Sequence, residues 1–386
     1  MELTSTQGFK NTEIGDIPTD WDLVKVVDLI DLLTDYDANG SFASVAENVK
    51  VYDFEKYAWY VRSTDLENDS DLSEVRYVDR ESYNFLKKTS LYGGELLFLK
   101  RGDIGNVYLF EMKTKYATVA PNLYLLKLND VSNSTYLYYY FKSNKGQRQL
   151  KSKNASSTLG ALYKDDVKSI YVPIPPTLKE QKSIATALTD VDELITGLEK
   201  LISKKKDIKQ GAMQQLLTPP HKGGKRLPEF SGEWVVKTIG KIGITFGGLS
   251  GKSKKDFENG NYPFITFLNV ISNTIINTSI FDTVNIKPGE NQNKVQKGDL
   301  LFNTSSETPE EVGMCALLQE EIQNLYLNSF CFGFRLRDDS TVDGLFLSYL
   351  INSCVGRNLF SSLAQGATRY NLSKSNFNQL KIDVLR

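Results

Sequence analysis

The chain has 386 residues, of which 24% are charged and 40% apolar, and its formal net charge is −1 with a pI near 6.1. That length admits two or three domains, each large enough for its own core, and the composition excludes disorder as the default state. The near-neutral balance supplies no general basic field for nucleic acid, so any such surface has to be local.

The first residues, "MELTSTQGFKNTEIGD", lack the apolar core of a signal peptide. No apolar run approaches the roughly 18 residues of a membrane span, and a cytoplasmic location is expected. A first arm, residues 1–176, mixes aromatic and β-branched runs such as "KYAWYVR" and "PNLYLLKL" with turn signals, the mark of strands. One short helix is predicted near its end, over residues 135–152.

The proline pair of "PPTLKEQKSIATAL" stops that strand-rich stretch. Thr177 and Glu180 then have the T-x-x-E spacing of a capping box. From there Ile184, Leu188, Val191, Ile195, Leu198 and Ile202 recur at steps of four and three, widened by Ala187, Leu194 and Leu201. Lys204, Lys205 and Lys206 interrupt the stripe, Ile208, Ala212 and Leu216 resume it, and Thr218, Pro219 and Pro220 end it. A helix over 178–217 is about 60 Å long. One apolar stripe on so long a rod asks for a partner helix in a coiled-coil seam, so residues 177–218 are read as a central spacer.

The second arm, residues 219–386, resembles the first. "WVVKTIGKI" from Trp234 echoes "WDLVKVVDLI" from Trp21, and "GDLLFNTSSETP" from Gly298 echoes "GELLFLKRGDIG" from Gly94. "FLSYLINSCVGRNLFSSLAQGAT" follows "YLYYYFKSNKGQRQLKSKNASST", pairing Leu137 with Leu347, Tyr139 with Tyr349, Ser143 with Ser353, Gly146 with Gly356 and Thr158 with Thr368. "YPFITFLNVI" and "SFCFGFRL" read as strands, and a second short helix is predicted over 345–364. Matches this long and in one order indicate a duplicated α+β domain rather than a short-period solenoid. In that alignment Arg386 falls on Pro176, where the first arm passes into its long helix; a second long helix is missing from the pattern.

Residues that could carry chemistry are sparse. The only histidine, His221, lies in a linker, and its solitude excludes paired-histidine metal sites. No G-x-G occurs, which argues against a dinucleotide or adenosylmethionine loop. "GGLSGKS" at 247–253 imitates a phosphate loop with one residue too few. Cys315, Cys331 and Cys354 lack metal-binding spacing and read as small apolar residues in a reduced compartment. Asp103 with Glu111 and Lys113 faintly resembles a Mg²⁺-dependent nuclease set, but a solvated hairpin is the plainer reading.

Local basic surface is easier to find. Lys142, Lys145, Arg148, Lys151 and Lys153 fall in a stretch without an acid, and helical spacing sets several on one face, where they could neutralise phosphates. Lys100 and Arg101 mark a turn, as do Lys252 and Lys254. Arg62, Asn269 and Arg369 are of the types that read base edges, arginine on guanine and asparagine on adenine.

Three segments then carry a specific resemblance: "EIGDIPTDW", "VKSIYVPIPPTLKEQKSIATALTDVDELI" and "KKKDIKQGAMQQLLTPPHKGGKRLPEFSGEW". Together they resemble the specificity subunits of type I restriction-modification systems, most clearly at the arm boundaries and the centre. The resemblance implies two target-recognition domains, each reading half of a split DNA target, with the helix as a ruler of the gap; each arm is expected to dock against a major groove. It also implies two modification subunits that bind S-adenosylmethionine and methylate adenine, and restriction subunits that use ATP. Neither "IPPT" nor "TPPH" has the flanks of a [DNS]-P-P-[YF] adenine methylase motif, so no catalytic residue and no cofactor is assigned to this chain, with S-adenosylmethionine, ATP and Mg²⁺ expected in partners. In the family a second helix packs on the first. The stripe from Ile184 to Ile202 is therefore expected to be covered by a helix from another copy, a separate fragment or sequence beyond Arg386. The competing reading is a coiled-coil adaptor whose arms bind proteins without DNA specificity.

Overall fold

A computed structural model of the chain describes residues 8–154, 160–366 and 368–385. Thr158 and Arg386, both used in the repeat alignment, lie outside them. Two compact units divide the chain, Met1–Leu198 and Glu199–Arg386.

In the first unit the principal strands are β1 (Asp22–Lys25), β2 (Ile30–Asp35), β3 (Ala58–Val61), β4 (Arg76–Val78), β5 (Leu96–Leu99), β6 (Val107–Leu109), β7 (Ala117–Val119), β8 (Leu123–Leu128) and β9 (Tyr171–Ile174). Helices α1 (Ser134–Lys142), α2 (Asn144–Ser152) and α3 (Lys164–Lys168) lie between β8 and β9. An antiparallel sheet runs β6-β5-β8-β2. A second sheet contains β4-β3-β7, with β3 and β7 parallel, and is widened by Val51–Tyr52 and Ser90–Leu91. β1 and β9 close the unit as an antiparallel pair.

The helix α4 (Leu178–Leu216) comes next, 39 residues long, starting where the capping predicts and ending one residue before the predicted 217. The division between the units falls inside it, so its two ends belong to different units. In the second unit the principal strands are β10 (Trp234–Thr238), β11 (Gly243–Gly247), β12 (Tyr262–Ile265), β13 (Asp282–Val284), β14 (Leu300–Asn303), β15 (Cys315–Leu317), β16 (Tyr326–Leu327), β17 (Cys331–Leu336) and β18 (Lys381–Leu385), and Ser305–Ser306 makes a short pair with Tyr370–Asn371. Between β17 and β18 lie the helices α5 (Gly344–Asn352), α6 (Cys354–Ser361) and α7 (Lys374–Gln379). The sheets run β15-β14-β17-β11 and β13-β12-β16, β12 and β16 are parallel, and β10 pairs with β18. Strands β10 to β18 thus repeat β1 to β9 one for one. The duplication read from sequence is a duplication of topology.

Why Leu96–Leu99 of β5 and the first three residues of β14 run without a polar side chain follows from what lies on each face. Side chains alternate along a strand. Leu96 and Phe98 enter one core with Leu137, Phe141, Leu150 and Val167. Leu97 and Leu99 enter another with Trp59, Val61 and Val119. In the second unit Leu300 and Phe302 face Leu347, Phe360 and Phe377, while Leu301 faces Ile265 and Leu327. A strand buried on both sides cannot show polar alternation.

The single helices predicted near the ends of the arms are each two helices. Ser143 ends α1 and caps α2, its Oγ accepting from Gly146 N, and Ser353 does the same between α5 and α6 with Gly356 N. The hinge holds because the next turn has no side chain at the contact. A Cβ on Gly146 would stand 2.2 Å from the Tyr140 carbonyl oxygen, and one on Gly356 would stand 2.3 Å from that of Ile351. The repeated serine and glycine of the sequence are this hinge.

Candidate nucleic-acid interface

Each unit grips its own end of α4. In the first, Thr177 Oγ1 accepts from Glu180 N, as a cap should, while the Glu180 carboxylate is taken up by the Trp21 indole N–H at 3.2 Å. Gln181 is buried, its amide nitrogen donating to Val131 O and its amide oxygen accepting from Asn133 N. A glutamine on a helix reads as polar surface, so its role was not legible in sequence. Tyr139 Oη donates to Asp192 at 2.8 Å. Its repeat partner Tyr349, in the second unit, carries Lys209 Nζ over its ring at 5.8 Å. Cys354 is exposed rather than buried, and its sulfur accepts from Gln210 Nε2, whereas Cys315 and Cys331 are core residues.

Between these anchors the stripe is bare: Val191, Leu194 and Ile195 are 52%, 62% and 49% exposed. Leu188, Leu198, Leu201 and Ile202 are exposed as well, and only Ile184, at the start, packs on the first unit's core.

The basic candidates divide into exposed and engaged groups. Lys142, Lys145, Arg148 and Lys151 are exposed, with Lys153 partly so. Lys145, Arg148 and Lys151 follow one another at three-residue steps on α2, away from buried Gly146 and Leu150. Lys145 Nζ also donates to Asp16 O. The turn between β5 and β6 lies against this helix: Gln147 Nε2 donates to Gly105 O at 2.8 Å, and Lys151 Cε is 3.5 Å from where a Gly105 Cβ would stand. The structure therefore brings Lys151 together with the turn that carries exposed Arg101.

Lys100, one residue earlier, is a correction. Its ammonium lies 2.7 Å from Asp35 and 2.9 Å from Asp37, and Lys164 reaches the other Asp35 oxygen at 2.7 Å. Burial draws the Lys100 pKa down, but the hydrogen bonds and charges of the two aspartates outweigh it and the net shift is upward. This cation is committed to the fold. Arg62 is similarly held, forked on the buried Asp65 carboxylate by Nε and Nη2.

Two candidates in the second unit are likewise structural. Lys252 has a side chain only 5% exposed, bonded to the Glu290 carboxylate and Asn285 O, both at 2.6 Å. Its hydrogen bond, with help from Gln292, holds the Glu290 pKa at about 2. Asn269 is 1% exposed. Its amide donates to Asn277 O and Ile280 O and accepts from Asn277 N and Asn273 Nδ2, so it shapes the following loop and presents no edge to a base. Lys254 is exposed, and Arg369 is exposed with its guanidinium 5.9 Å from the centre of the Phe330 ring.

Glu111 and Lys113 line a first-unit cleft of about 400 Å³ with Asp65, Asp69, Tyr108 and Asp192; Asp103 is not in its wall. Lys113 is paired with Asp69 at 2.6 Å. Among the described residues no group of three His, Cys, Asp or Glu side chains is placed to hold a metal ion. Nor, among them, is any helix long and apolar enough to cross a membrane.

The comparisons with known proteins agree with this architecture. A provisionally named MjaX type I restriction enzyme specificity subunit of Methanocaldococcus jannaschii is 26% identical over 298 residues, 72% of this chain and 67% of its own length. The MjaIX specificity subunit of the same organism is 28% identical over 296 residues, and the match spans 71% of this chain and 63% of that one. The crystal structure of a type I restriction-modification S subunit from M. genitalium superposes with a TM-score of 0.55 at 14% identity, covering 100% of this chain and 87% of that one, a likeness of fold. The family model for the type I restriction modification DNA specificity domain matches twice, over residues 18–210 and 231–384. With one match on each of the two repeated units, the chain belongs to the type I restriction-modification DNA specificity family, as a specificity subunit and not a catalytic one.

Proposed function

We propose that this chain reads a bipartite DNA target, one half per unit, and directs adenine methylation and restriction carried out by partner subunits. The observation that carries the reading is the one-for-one repeat of strands β1–β9 in β10–β18, two copies of one recognition scaffold on a single chain. In the first unit Arg101, Lys142, Lys145, Arg148, Lys151 and Lys153 supply phosphate and base contacts, and in the second Lys254 and Arg369 do so. Two modification subunits bind S-adenosylmethionine and flip the adenine out of the stack. Restriction subunits use ATP and Mg²⁺. The adaptor alternative draws no support from the family match. Mapping methylated adenines in DNA from cells that carry this chain with its modification subunit tests the proposal. A discontinuous motif is the expected result, and exchange of one unit should alter one half of it. A continuous motif, or none, would refute it.

The stripe on α4 is covered in the working protein by a second helix, from another copy of this chain, a separate fragment or sequence continuing past Arg386. Beyond the bare apolar side chains, the two tryptophans support this. Trp21 has Glu180 as acceptor, whereas the buried Nε1 of its counterpart Trp234 has no hydrogen-bond partner among the described residues. A helix with an acid in its first turn would complete Trp234 as Glu180 completes Trp21. Light scattering after size exclusion should show the isolated chain self-associating; a well-behaved monomer with no added helix would count against the proposal.

A further inference from the structure

The connection between β5 and β6 carries Lys100 and Arg101, and that between β14 and β15 is its longer counterpart. Both are fixed at their near ends by the segment that follows the helix pair. Leu162 N donates to Lys100 O and Gly102 N to Gly160 O in the first unit; Leu372 N donates to Thr304 O, and Ser305 and Ser306 pair with Asn371 and Tyr370, in the second. That segment places Arg369 beside the second connection.

The far ends are fixed by side chains at matching positions. Gln147 follows the hinge glycine Gly146, and Arg357 follows Gly356. Gln147 Nε2 bonds Gly105 O at 2.8 Å and Phe141 O at 2.7 Å. Arg357 Nη1 bonds Gly313 O at 3.0 Å, and Nη2 bonds Val312 O. Gly105 and Gly313 both take positive φ, 123° and 70°, a backbone shape that costs most residues strain. Different side chains therefore hold the same carbonyl of the same turn, from the same place on the helix.

The arginine makes the point more strongly. Burial lowers the Arg357 pKa to about 10, its partners are two carbonyls and the Met314 sulfur instead of a carboxylate, and its Nε is buried without a partner among the described residues. A half-buried guanidinium so placed is costly to the fold alone. Its fork reaches two successive carbonyls of the longer connection, where the glutamine in the first unit reaches one. A carbonyl satisfied by a fixed donor on a packed helix cannot drift, and base reading requires side chains held in register.

We propose that Gln147 and Arg357 are positioning residues for sequence reading, each fixing the recognition connection of its own unit. This rests on the bipartite reading above. Neither residue touches DNA in the proposal; each acts through the turn it holds.

The test uses the full chain assembled with its modification subunit, with base preference measured by methylated-adenine sequencing at every position of the motif. Gln147→Leu should lower discrimination roughly tenfold at positions in one half of the motif and leave the other half unchanged. Arg357→Met should do the converse. Gln147→Arg, which brings in the other unit's donor, should restore the first half, and hydrogen exchange at Gly102 and Ile104 should quicken only in the leucine variant. If Arg357→Met does not fold, Arg357→Gln keeps one donor and should give a smaller loss in the same half. Unchanged preference in both halves, or equal loss from both halves in each variant, would overturn the proposal. A parent complex with no split motif would instead overturn the functional reading.

Discussion

Replacing Asp35 by asparagine should destabilise the first unit by about 3 kcal/mol. The carboxylate is 6% exposed and bridges two ammonium groups at 2.7 Å, Lys100 at 15% exposure and Lys164 at 36%. Removing one member of a buried pair typically costs 3–5 kcal/mol, because the remaining charge stays desolvated without compensation. Two features set the low end here: Lys164 is well enough exposed that solvent screens its share, and Lys100 keeps the outer carboxylate of Asp37. Urea unfolding in a Trp234→Phe background isolates the relevant signal, since Trp21 and Trp59 then report the first unit. Adding Lys100→Met should recover about 2 kcal/mol, as the stranded cation is replaced by an apolar chain of similar length. Acid gives an independent reading of the same group. Burial pushes the Asp35 pKa up, but Lys100 and Lys164 outweigh it and hold it below its ordinary 3.8. Its contribution is then complete above the unfolded value and is lost as pH falls through the folded one, so stability attributable to Asp35 should drain away below about pH 4. A loss under 1 kcal/mol, or the same loss with and without Lys100, would refute the reasoning.

Asn269→Ala should destabilise the second unit by about 2 kcal/mol in urea, since four hydrogen bonds of a buried amide are lost. Gly146→Ala and Gly356→Ala should each cost at least about 2 kcal/mol, read as a fall in melting temperature, because the new methyl meets a fixed backbone carbonyl. Joint replacement of Lys145, Arg148 and Lys151 by alanine should weaken binding of the assembled complex to all DNA sequences alike. The slope of log affinity against log salt should fall by about one for each phosphate contact removed.

Much of the fold could be read from sequence because its signals are local. Thr177, the apolar period and the terminal prolines delimit α4 without reference to anything distant. Aligned serines and glycines marked a shared device in both arms, although the hinge they make, and hence two helices where one is predicted, depends on contact with the preceding turn. The candidate interface was less legible, since exposure and pairing are tertiary properties. Lys100 reads as an available turn cation until the chain returns Asp35 to it across 65 residues, and Lys252 until Glu290 arrives across 38. Asn269 looks like a base reader because the amide that suits an adenine edge equally suits two backbone carbonyls and an N–H. Arg101 and Arg148 have no such acid delivered to them among the described residues, and nothing in their immediate sequence distinguishes them from Lys100.

The pairing of β1 with β9, and of β10 with β18, leaves the entrance and exit of each unit side by side on neighbouring strands. A module tied off in this way can be cut out and replaced by a relative with different loops without rethreading the rest of the chain. New specificities can thus arise by grafting whole units, a far shorter route than rebuilding a reading surface one side chain at a time.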